Sequence, residues 1–120
     1  MKDGGAYKKE ALLFQALSHP VRLRILDILA RQEACVCHLT AILGQRQPYV
    51  SQQLAALRES GLVIDRRDGT LIYYRLADDQ LADLLDSARR LVQNLDSQSV
   101  AFPPIPAGPV DNCPCPHCQS

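Results

Sequence analysis

A chain of 120 residues with zero net charge and no Trp is long enough to build one domain around its own core. The opening MKDGGAYKKE has no apolar h-region and no later apolar run reaches about 18 residues, so neither a signal peptide nor a membrane span is expected, and a cytoplasmic location is. Charge is unevenly spread: residues 1–77 carry 11 Lys and Arg against 7 Asp and Glu, a balance of +4, whereas residues 78–120 carry 2 against 6, a balance of −4, which suits a protein offering one surface to a polyanion.

The spacing of Leu13, Ala16 and Leu17 predicts a helix from Tyr7 to Leu17, broken by Ser18-His19-Pro20. Pro20 suits the first position of a second helix, where a missing N–H costs nothing, and Leu23, Leu26, Ile28 and Leu29 supply its apolar content. A short helix is expected from Cys35 to Leu43, ended by Gly44. The next opens at Gln47-Pro48 and runs to about Ser60, with Val50, Leu54 and Leu57 on one stripe and a small, uncharged outer face. The period then changes. Residues 62–66 and 71–76 are β-rich runs around Arg67-Asp68-Gly69-Thr70, and Asp-Gly between such runs predicts a hairpin. A last helix, Asp79 to Leu95, places Leu81, Leu84, Leu85, Ala88, Leu91 and Val92 at 3/4 spacing, a stripe long enough to want a partner. Residues 97–120 are Pro-rich and are expected to form a mobile tail on a domain spanning 1–96. This order predicts a mainly α (α+β) fold, a winged helix-turn-helix with a two-stranded β-hairpin wing.

Five cysteines fall into a pair, Cys35 and Cys37, and a trio, Cys113, Cys115 and Cys118. In a reducing compartment such clusters bind metals or carry redox chemistry more often than they form structural disulfides. Two positions apart on an ideal helix, Cys35 and Cys37 would point about 200° from each other. At a helix start the first residue is free to turn, and the helix dipole favours thiolate there. No Ser/His/Asp set, Gly-rich cradle or strand–loop–helix thiol unit is present, so an enzyme is not expected.

Residues 16–26 (ALSHPVRLRIL), 33–39 (EACVCHL), 50–54 (VSQQL), 57–63 (LRESGLV) and 66–76 (RRDGTLIYYRL) together resemble the ArsR/SmtB family of metal-responsive repressors, over about residues 7–95. The resemblance implies a homodimer joined through its first and last helices that binds an inverted-repeat operator and represses a resistance or efflux operon. By helical position Gln47, Tyr49, Ser51 and Gln52 are candidate readers of bases or phosphates, and Arg58, Arg66 and Arg67 are candidate backbone anchors. Gln53 matches a family position that couples the recognition helix to the metal-site helix. Cys35 and Cys37 match the family's metal box. Arsenic-sensing members often add a third Cys on that helix, where this chain has Thr40; the tail trio is then the candidate source of further sulfur. Soft donors select As(III) or Sb(III), ranked first here, with Cd(II), Pb(II), Hg(II) and Zn(II) as alternatives, and a thiol-redox or persulfide switch on the same cysteines as a further one. No His lies between Asp79 and Leu95, which argues against the family's other metal site. His38 is expected on the helix surface, and His19 in a capping or turn role.

Overall fold

In the computed structural model, which describes residues 4–96, 98, 100–106 and 108, five helices and three strands follow one another in the order α1 (Gly4–Leu17), α2 (Pro20–Leu29), β1 (Ala34–Cys35), α3 (Val36–Leu43), α4 (Gln47–Glu59), β2 (Val63–Asp68), β3 (Leu71–Leu76) and α5 (Gln80–Leu95). The expected winged helix-turn-helix is borne out. The sheet, however, has a third strand: β1 pairs antiparallel with β3, giving the order β1-β3-β2. Two residues carry no period, which is why β1 was not foreseen.

Local chemistry explains most boundaries. Pro20 stands in the first turn of α2, and the carbonyl of His19 accepts the N–H of Leu23 at 3.0 Å. The His19 side chain makes no capping hydrogen bond, so its expected role reduces to its backbone. Gly44 ends α3 at φ 64°, in the left-handed region that a Cβ disfavours. Asp68 and Leu71 still pair across the hairpin, so the loop is Gly69-Thr70, and Gly69 at φ 63° supplies the positive angle a two-residue turn requires. Asp78 Oδ1 accepts the N–H of Gln80 at 2.8 Å, anchoring the start of α5.

Ile25, Leu26 and Ile28 of α2, Leu39 of α3, Val50, Leu54 and Leu57 of α4, and Val63 of β2 are fully buried in one core. Each such side chain contributes roughly 1.5–3 kcal/mol over its exposed state, so α2, α3 and α4 form one packed block. The stripe on α5 is divided by this core. Leu81 and Leu85, 7% and 9% exposed, are spent on it and Leu84 is partly packed against it, whereas Ala88, Leu91 and Val92 lie open to solvent. On α1, Tyr7, Leu12 and Phe14 are exposed as well. Among the described residues no helix is long and apolar enough to cross a membrane.

Candidate nucleic-acid interface and thiol site

The turn from Gly44 to Arg46 sets α4 against α3, and burying Val50, Leu54 and Leu57 forces the opposite face outward. Gln47, Pro48, Tyr49, Ser51 and Gln52 are all exposed there, where the outer face was expected. Arg46, exposed at the N-cap of α4, joins this surface; its place directly before the Gln-Pro helix start was the signal that could have found it. Gln53 is half-buried. Its Oε1 accepts from Nε of Arg22 at 2.8 Å, while Nη1 of Arg22 donates to the carbonyl of Ala16 at 3.2 Å. The side chain therefore ties the recognition helix to α2 and the end of α1, rather than to the helix bearing the cysteines.

The three candidate anchors differ. Arg58 pairs with Asp65 at 3.2 Å. Arg66 is held more firmly: Nε donates to both Glu33 oxygens at 2.9 and 3.0 Å, and its guanidinium lies 4.7 Å from the centroid of Tyr73. Hydrogen bonding to Glu33 holds the Arg66 guanidinium above its ordinary pKa, against a smaller opposing effect of burial. Arg67 is exposed and makes no ion pair among the described residues, so of these three it is the one best prepared to meet a phosphate.

Cys35 does two things at once. Its backbone closes β1 opposite Tyr73 of the wing, and its side chain caps α3, Sγ accepting the N–H of His38 at 3.4 Å. It is 2% exposed and packs with Tyr73, with Cys37, Ala41 and Leu71 around them. Because Tyr73 also pairs with Arg66, the residues Cys35, Tyr73 and Arg66 form one row across the three strands. Cys37 is half-buried on the first turn of α3. An open cavity of about 300 Å³ touches Cys35 and Cys37, the start of the recognition helix at Gln47, and the wing at Thr70–Ile72. The two thiols form no disulfide.

His38 is buried, at 5% exposure, which corrects the surface position expected for it; its Nε2 lies 3.3 Å from Nε2 of Gln32. Leu39 and the cap at Cys35 turn that side of α3 inward. Thr40, at the position of the family's third Cys, has a buried Oγ1 without a hydrogen-bond partner. Among the described residues no group of three or more His, Cys, Asp or Glu is arranged to hold a metal. Cys113, Cys115 and Cys118 lie outside the described residues.

The model of a bacterial regulatory protein family, arsR, matches residues 19–65. The chain is 37% identical over 102 residues to an uncharacterised HTH-type transcriptional regulator of Mycobacterium tuberculosis, covering 84% of this chain and 90% of that protein. It is 42% identical over 85 residues to the arsenical resistance operon repressor of Escherichia coli, covering 68% and 73%. Its fold is similar to the solution structure of a homodimeric winged helix-turn-helix DNA-binding domain from Mycobacterium bovis, with TM-score 0.72, 31% identity, and coverage of 83% of this chain and 94% of that one.

Proposed function

The chain belongs to the arsR family of bacterial regulatory proteins, and from that membership we propose that it represses transcription by gripping an inverted-repeat operator as a homodimer and lets go when Cys35 and Cys37 take a soft ion, As(III) or Sb(III) first. The observation that carries this reading is the double duty of Cys35, whose sulfur caps α3 while its backbone pairs with the wing.

The chemistry of the donors fits a thiophilic ion: two sulfurs at one helix start, a buried Thr40 hydroxyl without a hydrogen-bond partner one turn on, and no competing carboxylate cage among the described residues. When bound, such an ion supplies sulfur bonds much stronger than an N–H···S contact. Moving Cys35 Sγ to meet such an ion would lengthen its bond from the His38 N–H and weaken a cap on α3 of a kind worth about 1 kcal/mol. Tyr73 must follow its strand partner, and with it the row that ends at Arg66. Both groups of DNA-facing residues, on α4 and on the wing, are thereby biased away from the geometry the duplex needs. A coupling of about 1–3 kcal/mol corresponds to a 5–150-fold loss of operator affinity, and by linkage DNA weakens ion binding by the same factor. The exposed apolar faces of α1 and α5 support the homodimer, since Tyr7, Leu12, Phe14, Leu91 and Val92 are left uncovered by the described residues.

The test is operator release followed by fluorescence anisotropy at constant salt and under full reduction, with As(III), Sb(III), Cd(II), Pb(II) and Zn(II) in turn. Release by at least one ion, lost in the C35S/C37S variant, is the expected result. A variant that still detaches normally would refute the thiol mechanism. A second reading, thiol oxidation or persulfidation of the same pair, is favoured by the presence of only two thiols among the described residues; it predicts release by oxidant or sulfane sulfur and none by ions under reduction.

A further inference from the structure

Beyond α5 the chain folds back against the seam between α5 and α2, and a cavity of about 290 Å³ remains there. Pro20 and Leu23 of α2, with Phe102 and Pro103 of the returning segment, give it apolar walls. That segment is held in place: Ile105 packs against the main core, and the Pro106 carbonyl accepts from Nε2 of Gln32 at 3.2 Å. The charged part of the lining is Arg24, Asp27 and Arg89. Asp27 and Arg89 answer each other at 2.7 Å in a largely shielded pair, and the Phe102 ring lies 4.7 Å from the Arg89 guanidinium. Arg24 is different. Its Nε is buried without a hydrogen-bond partner, and it makes no ion pair among the described residues.

A buried N–H without an acceptor is unfavourable, and this one belongs to a residue bordering a space that a ligand can enter. A hydrocarbon would leave that donor unanswered, and a bare inorganic anion would leave the walls of Leu23 and Phe102 wet. The occupant that suits both is an amphipathic anion, with an acidic head on a flat apolar body. Ligand pockets share this make-up, mostly apolar with a few placed polar groups, at volumes from about 300 Å³ upward. An aromatic body suits the Phe102 ring, against which it can stack offset or edge to face.

We propose that this cavity binds a small aromatic carboxylate, its head on Arg24 and its ring between Leu23 and Phe102, and that occupancy changes operator affinity. Cys35 and Cys37 line a different cavity, so the site is separate from the thiol pair. The coupling to DNA, though not the binding, rests on the dimeric repressor reading above. Leu23 and Arg24 follow Arg22 directly, and Arg22 is bonded to Gln53 of the recognition helix. Arg89 rides on α5, whose open face at Leu91 and Val92 is the one offered to a second subunit. A ligand wedged between α2 and α5 therefore bears on the angle between the DNA-reading block and the dimer helix.

The test titrates reduced, full-length protein with 2-naphthoate by isothermal calorimetry, beside R24M, F102A and C35S/C37S. Wild type and C35S/C37S should bind one equivalent per subunit with equal affinity. R24M keeps an apolar stem and should bind at least about tenfold more weakly, through loss of a charge-assisted hydrogen bond. F102A should bind about fivefold more weakly. The neutral alcohol 2-naphthalenemethanol should bind about tenfold more weakly than the acid. No saturable binding by wild type would overturn the proposal, as would an R24M titration that matches it. In saturating 2-naphthoate, operator affinity read by anisotropy should shift about fivefold or more in wild type and C35S/C37S, and not in R24M. Binding without that shift would overturn the coupling. A protein that sediments as a monomer would instead defeat the repressor reading, while the comparison of wild type with R24M would still decide the binding site.

Discussion

Arg22 on α2 and Gln53 on α4 are joined by a 2.8 Å hydrogen bond across 31 positions of sequence, a polar link that ties the recognition helix to α2. The packed stripe of Val50, Leu54 and Leu57 sets the depth of α4. Apolar packing is tolerant of rotation about the helix axis, whereas a directional bond to a guanidinium held also by the Ala16 carbonyl is not. Gln53 therefore acts on how the outer face is presented without itself lying on it.

Replacing Gln53 with Ala should cost about 1–2 kcal/mol, the range for a hydrogen bond to a charged group discounted for partial exposure. Q53E, which keeps an acceptor for Arg22, should recover most of it. Urea unfolding of the three proteins decides the matter, since an unchanged midpoint for Q53A would mean the link bears no weight.

Cys35 offers a separation of structure from sensing. Ser is a better N-cap than Ala, so C35S should remain within about 1 kcal/mol of wild type and C35A should be the less stable of the two by about 1 kcal/mol. Both should lose ion-driven operator release. Equal stability of the two variants, measured by thermal melting, would show that the sulfur does not cap α3.

On the wing, Arg66 is committed to Glu33 and Tyr73, whereas Arg67 is not. R67A should flatten the dependence of log affinity on log salt by about 1.8, the loss of one phosphate contact from each subunit of the dimer. R66A should leave that slope nearly unchanged and act through wing order instead. Anisotropy titrations across a salt series distinguish the two, and equal slopes for both variants would contradict the assignment.

The divided stripe of α5 predicts two different failures. L85A removes a core side chain and should destabilise the protomer by about 2–4 kcal/mol. L91E places a charge on the open face and should shift the protein toward monomer with its helical content retained. Sedimentation together with circular dichroism checks both, and a dimeric L91E would remove this face from the assembly.

Sequence alone settled whatever depends on near neighbours. Helical period, Pro at two helix starts, Gly44 and Gly69 at positive φ, and the Asp-Gly hairpin are local effects, and they were enough to order the elements and turn Gln47, Tyr49, Ser51 and Gln52 outward. Tertiary structure decided the partnerships. A two-residue strand has no periodicity to read, yet its pairing with β3 is what places Cys35 opposite Tyr73 and Glu33 within reach of Arg66, 33 positions away. Charge type shows that an Arg wants an anion; only the fold shows that Glu33 already occupies Arg66 and that Gln53 answers to Arg22. Likewise a 3/4 stripe on α5 announces apolar contacts without saying whose, because the division between Leu85 in the core and Leu91 in solvent is set by where α2 lies.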